Sequence, residues 1–340
     1  MKTIKVEEAV GHVLSHDITR IIPGVVKDTP FRKGHVIKEE DIEKLKSLGK
    51  ENIYIYEKKE GMLHENEAAH RILKAVSNDE DFTYTEVKEG KINFIAKTEG
   101  LLKIDVELLE KINSIGEIIF STIHENIPVK KGELIASTRV IPLVVDEKQI
   151  KEFEREVQGK TLLKIKRYKE FKIGIVTTGS EIYKGRIKDA FGPVLRKKLK
   201  EYGKYEIDQK IVYDDKEIIK KEIKNYIDKG YNLILCTGGM SVDPDDLTPS
   251  AIKSLGGNLI TYGAPSLPGA MLLVAYLDNI PILGLPGCVM YSKRTSFDLV
   301  LPKVLVGEKI TKEYIVKLGH SGLCRDCEIC TYPNCGFGKW

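Results

Sequence analysis

Two hydrophobic rhythms alternate along the chain: short apolar runs bounded by turn residues, and stretches whose apolar residues recur at helical spacing. Over residues 1–60 they predict an N-terminal α+β region. Residues 11–19 read as a strand with polar interruptions, 31–37 as a hairpin turning at Gly34, and 52–56 as a strand. Between them Ile42, Leu45 and Leu48 share one helical face in residues 38–48, with Gly49 as the stop. A linker is expected at 58–61. Residues 61–160 begin with a helix at 64–76, on which Ala68, Ile72 and Val76 align, and continue as a β-rich domain with strands at 91–96, 117–121 and 139–145. The turn at 129–136 has the chemistry of the one at 31–37 without amounting to a repeat. A charged helix at 149–157 and a basic linker at 160–172 lead onward.

From residue 170 to 306 the rhythm is strand, helix, strand. A buried strand from Lys172 runs into Thr177-Thr178-Gly179-Ser180-Glu181, a second at 208–213 into Asp214-Asp215, a third at 233–236 into Gly238-Gly239, and a fourth at 279–285 into Pro286-Gly287-Cys288. Amphipathic helices at 191–202, 216–229 and about 248–255 fall between them, the first two stopped by Gly203 and Gly230. This alternation predicts an α/β, three-layer domain with a mostly parallel sheet covered on both faces. In such sheets ligands bind beyond the carboxyl ends of the strands. Thr178, Gly179, Ser180, Glu181, Asp214, Gly238, Gly239, Ser241, Asp246, Pro286 and Gly287 all fall there. Glycines let backbone approach a ligand closely, successive amides hold an anion, and Asp243, Asp245 and Asp246 suit a hard cation. The combination points to a phosphate-bearing ligand with magnesium. Any one of these turns alone is an ordinary helix start with an acidic cap; four on one edge are a site.

Charge narrows the partners. The 54 basic and 50 acidic residues leave a formal net charge of +4, which gives no support for nucleic acid, and the basic run at 160–172 reads as solvated surface. The longest apolar candidate, 271–285, is broken by Asp278, Asn279 and Pro281, and the first residues turn acidic at Glu7 and Glu8. No membrane partner, no signal peptide and a cytoplasmic location are the expectations. No P-loop or dinucleotide glycine fingerprint follows any strand. His12, His16 and His35, and likewise His64 and His70, lack metal-site spacing.

The C-terminal segment, 320–340, carries Cys324, Cys327, Cys330 and Cys335 at Cys-x2-Cys-x2-Cys-x4-Cys spacing. In a reducing compartment this favours a metal over disulfides, either an iron–sulfur cluster or zinc, with the three tightly spaced thiols leaning toward a cluster. Cys236 reads as a buried strand residue and Cys288 as one that lines the site.

The segments Thr177-Thr178-Gly179-Ser180-Glu181, Gly185-Arg186-Ile187-Lys188-Asp189, Asp214-Asp215, Gly238-Gly239-Met240-Ser241-Val242 with Asp246, Pro268-Gly269 and Leu285-Pro286-Gly287 together resemble the molybdopterin-binding domain of the MoeA and gephyrin E family, the molybdopterin molybdenumtransferases. The resemblance covers residues 170–305. It implies that the chain binds molybdopterin, adenylated, and inserts molybdate with release of AMP. Glu181, Asp214 and Asp246 then match positions around the magnesium and the reacting centre, Asp189 a further acidic position, and the amides of Gly179, Gly238 and Gly239 the pterin phosphate. A homodimer is what the family suggests. Departures are specific: the family's asparagine two places after Asp189 is Phe191, its Pro-Gly-Lys-Pro reads Pro268-Gly269-Ala270-Met271, its Leu-Pro-Gly-Asn-Pro reads Leu285-Pro286-Gly287-Cys288-Val289, and the glycine after Val242 is Asp243. No counterpart of the family's carboxy-terminal β domain is expected. The resemblance therefore supports pterin binding more strongly than transfer chemistry, and the alternative function is a non-catalytic carrier or chaperone that serves a molybdoenzyme.

Overall fold

The computed structural model describes residues 2–55, 60–241 and 246–339. It divides into two compact units, one of residues 1–97, 104–123 and 132–164, the other of residues 98–103, 124–131 and 165–340. Among the described residues no helix is long and apolar enough to cross a membrane.

The first unit departs from the sequence expectations in several places. The strand expected at 11–19 begins only at Ile18, because before it Val13 and Leu14 make only isolated bridges, to Val36 and Ile55, with Leu14 and Ser15 buried. The regular hairpin of this region pairs Ile18–Ile22 with Val26–Phe31, so the turn at Gly34 follows that hairpin. The strand expected at 139–145 is two strands, Leu134–Val140 and Val144–Asp146, broken beyond Val140. A helix, Val106–Asn113, lies in the stretch read as β-rich. Asp105 caps it by accepting from the Leu108 amide at 3.0 Å, and Leu108 and Ile112 bury one turn apart. The basic linker contains a strand, Leu163–Lys166, and the linker expected at 58–61 falls largely outside the described residues.

The second unit is built on a six-stranded sheet. We label its strands β1 (Lys172–Thr178), β2 (Glu206–Val212), β3 (Leu233–Thr237), β4 (Asn258–Tyr262), β5 (Leu273–Leu277) and β6 (Ile280–Leu285). The order is β2-β1-β3-β6-β5-β4, with β2, β1, β3 and β6 parallel and the last two pairings antiparallel. The antiparallel end explains the broken apolar run at 271–285. Asp278 and Asn279 form the tight turn between β5 and β6, and Asp278 takes a φ of +54° that such a turn requires.

Strand residues alternate between two cores, as a sheet covered on both faces demands. Ile173, Ile175, Leu233, Leu235, Leu283 and Leu285 face one core, which helices α1 (Phe191–Lys200) and α4 (Ser296–Leu305) complete. Val176, Ile234, Cys236 and Ile282 face the other, completed by α2 (Lys216–Asp228) and α3 (Thr248–Lys253). Cys236 is fully buried, and burial pushes its thiol up to about 12, so it is inert core. Gly174 has a packing reason: a Cβ there would press into the Tyr226 ring of α2, at 2.7 Å from its nearest atom.

Beyond α4 the Glu308 carboxylate accepts from Lys166 and Lys303, each at 2.7 Å, with Lys103 at 3.3 Å. Burial works to raise its pKa, but the hydrogen bonds from Lys166 and Lys303 outweigh it and hold the carboxyl at about 2. A folded-state value below the unfolded one stabilises at pH above about 4.5, and that contribution is lost as pH falls toward 2. Glu308→Gln is expected to lower stability at neutral pH by ~2 kcal/mol and to flatten its fall between pH 4.5 and 2, read from urea unfolding at stepped pH. An unchanged acid limb would count against the assignment.

Candidate functional site

The four parallel strands end together. In the register of the sheet Thr178 stands opposite Val212, Thr177 opposite Thr237, and Thr237 opposite Leu285. The turns that follow, at 179–181, 214–215, 238–241 and 286–288, therefore leave from one edge. From β1 the chain crosses to β2 on one side and then to β3 on the other, so the crevice of a doubly wound sheet falls between β1 and β3.

Glycine is required where those two strands end. Gly238 has a φ of +80° and lies so close to β1 that a Cβ would collide with the Thr178 carbonyl oxygen. Gly239 follows at φ +52°, with the Thr248 hydroxyl 3.1 Å from where its Cβ would stand. Buried Thr248 secures this loop: its hydroxyl donates to the Gly238 carbonyl at 2.9 Å, lies 3.3 Å from the Thr178 hydroxyl, and its amide donates to the Gly239 carbonyl at 3.3 Å. From β4 the Tyr262 hydroxyl lies 3.1 Å from the carbonyl oxygens of both Met240 and Ser241, and donates toward them. With its carbonyl oxygens engaged by protein donors, the loop presents less negative charge to an anion.

The acids divide by role. Asp214, past β2, accepts from the Ser180 amide at 2.6 Å and so joins its turn to the Gly179-Ser180 turn past β1. Gly179 stands at φ +147°, and Glu181 is exposed in the single helical turn Ser180–Tyr183. Asp189 caps α1, accepting from the amides of Phe191 at 2.9 Å and Gly192 at 3.0 Å, and from Gln209 at 2.7 Å. Gln209 also donates to the Thr177 hydroxyl at 2.9 Å, which accepts from Thr237 at 3.1 Å. Asp189 thus orients the start of α1 and the buried ends of three strands. Asp246 stands just before α3; after burial, its charge is the second influence that raises the Tyr262 hydroxyl pKa. Asp243 and Asp245 lie outside the described residues.

Past β6, Pro286 leads into a short 3-10 turn, Gly287–Met290, and a Cβ on Gly287 would meet nothing within 4 Å. Half-buried Cys288 sits in this turn, its thiol raised by burial. The following loop is anchored below. Lys198 of α1 donates to the Lys293 carbonyl at 2.8 Å and to both Asp298 carboxylate oxygens at 2.9 Å, while Arg294 pairs with Asp298 at 3.0 Å and Glu201 at 2.8 Å. Burial opposes the Arg294 charge, but these partners hold its pKa above the ordinary value.

Sequence reasoning missed Gln209, Thr248, Tyr262, Lys198 and Asp298. Thr248 was legible only as a helix start, and Tyr262 lies on a strand that was not foreseen. Among the described residues no three His, Cys, Asp or Glu side chains are gathered around a metal position. The four C-terminal cysteines do line one cavity, of about 200 Å3.

Parts of the chain are similar to known proteins. The family model "Probable molybdopterin binding domain" matches residues 174–306, and a model for a domain of unknown function matches residues 3–57. The molybdopterin molybdenumtransferase of Staphylococcus epidermidis is 27% identical over 161 residues, which are 43% of this chain and 36% of that protein. Gephyrin of Dictyostelium discoideum is 31% identical over 160 residues, 41% of this chain and 22% of gephyrin. A crystal structure titled as the molybdopterin biosynthesis MoeA protein of Pyrococcus horikosii aligns over 90% of this chain and 74% of its own, at 14% identity and a TM-score of 0.33. The chain thus spans about a third or less of the length of these curated relatives.

The second unit thus holds an α/β domain similar, over residues 174–306, to the probable molybdopterin binding domain. Over that stretch the chain is similar to the molybdopterin molybdenumtransferase of Staphylococcus epidermidis and to gephyrin of Dictyostelium discoideum.

Proposed function

We propose that the protein is an enzyme of molybdenum cofactor biosynthesis. It binds adenylated molybdopterin across the β1–β3 crevice and inserts molybdate with release of AMP. The observation that carries this reading is Gly238, pressed against the Thr178 carbonyl at the edge where the parallel strands end. That contact brings two glycine turns together where a doubly wound sheet takes its ligand. The amides of Gly179, Gly238 and Gly239 hold the phosphate, with Thr178, Ser180, Ser241, Pro286 and Gly287 around the pterin.

Magnesium needs one or two carboxylates together with phosphate oxygens and water. The carboxylates past these strands would meet that demand without a preformed cage. Asp214, already fixed to the Ser180 amide, would hold the ion with Glu181 and Asp246 beside it. When bound, the ion neutralises charge on the phosphoanhydride.

A second reading, a carrier that delivers the pterin to a molybdoenzyme without transfer chemistry, is favoured by one observation. Phe191, where the family has asparagine, is only 5% exposed and packs into the core, so position 191 offers no polar group in place of that amide. Incubating the protein with adenylated molybdopterin, molybdate and magnesium, and quantifying AMP by chromatography, separates the two. The enzyme reading predicts AMP in proportion to pterin consumed, and a loss of about 10-fold or more in its rate for Asp214→Ala. Pterin retained without AMP would establish the carrier.

A further inference from the structure

Residues 320–340 take no part in the proposed pterin site, yet they are built into the same unit. Leu318 and Phe337 are buried in its larger core, with Cys324, Tyr332 and Cys335 packed against it. The segment is tied at several points. The Leu267 amide donates to the Gly322 carbonyl at 2.8 Å and the Cys324 amide to the Leu267 carbonyl at 2.7 Å, while the Gly338 amide reaches back to the Ser321 carbonyl at 2.9 Å. Lys293 donates to the carbonyls of Cys327 at 2.8 Å and Glu328 at 2.9 Å, and the Tyr332 hydroxyl donates to the Asp298 carbonyl at 3.1 Å. Both ends and the middle of a loop are thereby held, although residues 324–339 contain no helix or strand.

Within this loop Cys324, Cys327, Cys330 and Cys335 line a single cavity of about 200 Å3. Cys327 and Cys330 are exposed and Ile329 is 79% exposed, so apolar burial does not hold this part of the loop. Small irregular segments of this kind are held by a metal core or disulfides. A zinc ion, with Zn–S bonds of ~2.3 Å, needs its thiolates drawn to one point. The four cysteines share the lining of one space of about 200 Å3, and among the described residues no three His, Cys, Asp or Glu side chains are drawn to a single metal position. Their Cys-x2-Cys-x2-Cys spacing is that of cluster ligands. Lys293 and Arg325 line the same cavity, with Asp326 and with Arg294, whose charge is already paired with Asp298 and Glu201, so the basic side chains offset part of the charge that four thiolates bring.

We propose that the four cysteines bind a cubane iron–sulfur cluster, each thiol giving up its proton as its sulfur bonds to iron. The cluster sits on the loops around Leu267 and Lys293, and Lys293 lies only a few residues beyond Pro286 and Gly287.

Full-length protein is purified without oxygen, reconstituted with ferrous iron, sulfide and a thiol reductant, desalted, and assayed for iron, acid-labile sulfide and zinc. About four iron and four sulfide per chain are expected, with a visible charge-transfer absorption that dithionite bleaches. Cys327→Ser and Cys330→Ser are expected to lose most of the iron while keeping the wild-type circular dichroism spectrum, since both side chains are exposed. Zinc as the sole metal, no metal at all, or undiminished iron in a protein carrying both Cys327→Ser and Cys330→Ser would overturn the proposal. No pterin is present in the assay, so its result is independent of the molybdopterin reading.

Discussion

Asp298→Ala is expected to destabilise the α/β unit by about 3–5 kcal/mol, because it leaves a buried cation without its counter-charge. The Lys198 side chain is 7% exposed and Asp298 2%, so water cannot replace the lost carboxylate. The same carboxylate accepts from the Thr295 amide at 2.8 Å and hydroxyl at 3.2 Å, which caps α4, a helix with every residue buried. Its removal frees Lys198, Arg294 and the cap together. Urea unfolding measures the loss, and a double variant with Lys198→Met is expected to recover part of it by removing the orphaned charge. A single-variant loss below about 1 kcal/mol would place the pair in the range of solvated surface ion pairs.

Gly238→Ala carries the largest expected effect on ligand binding. A φ of +80° strains any residue with a Cβ, and here the added carbon also strikes the Thr178 carbonyl oxygen, so the loop must lift from the end of β1. Displacing positioned groups by about 1 Å costs on the order of 100-fold, and a loss of that order in molybdopterin affinity is expected. Gly230→Ala is the matched control: Gly230 has a φ of +83° with nothing within 4 Å of the added carbon, and it ends α2 away from the strand edge. That control is expected to lose stability and keep its affinity.

Much of this architecture was legible in the residues themselves. The apolar strands and intervening helices of residues 172–255 follow from local periodicity, and the shared edge follows from parallel connectivity. What could not be read depends on partners distant in sequence. Strands β5 and β6 flank the short turn at Asp278-Asn279 and read locally as one interrupted apolar run, and β4 pairs only with β5, a partner that nothing local in its sequence announces. Lys198 and Asp298 lie 100 positions apart, and nothing local in either marks a buried pair. Asp189 illustrates the reverse case. The family resemblance implies a further site acid there, and in the fold its oxygens are engaged by two amides and Gln209, a role that nothing local in the sequence discloses. In the first unit, the helix Val106–Asn113 was hidden because Val106, Leu108 and Ile112 occur among strand-like neighbours, and the Asp105 cap is a weak signal on its own.

The central claim is that the edge shared by β1 and β3 holds the pterin, and anaerobic titration of the protein with molybdopterin in the presence of magnesium, followed by equilibrium dialysis, tests it most directly. Saturable binding is predicted for the natural sequence and for Gly230→Ala, with loss of about two orders of magnitude for Gly238→Ala. Pterin that stays free at every protein concentration, or binds Gly238→Ala as tightly as the natural sequence, would contradict it.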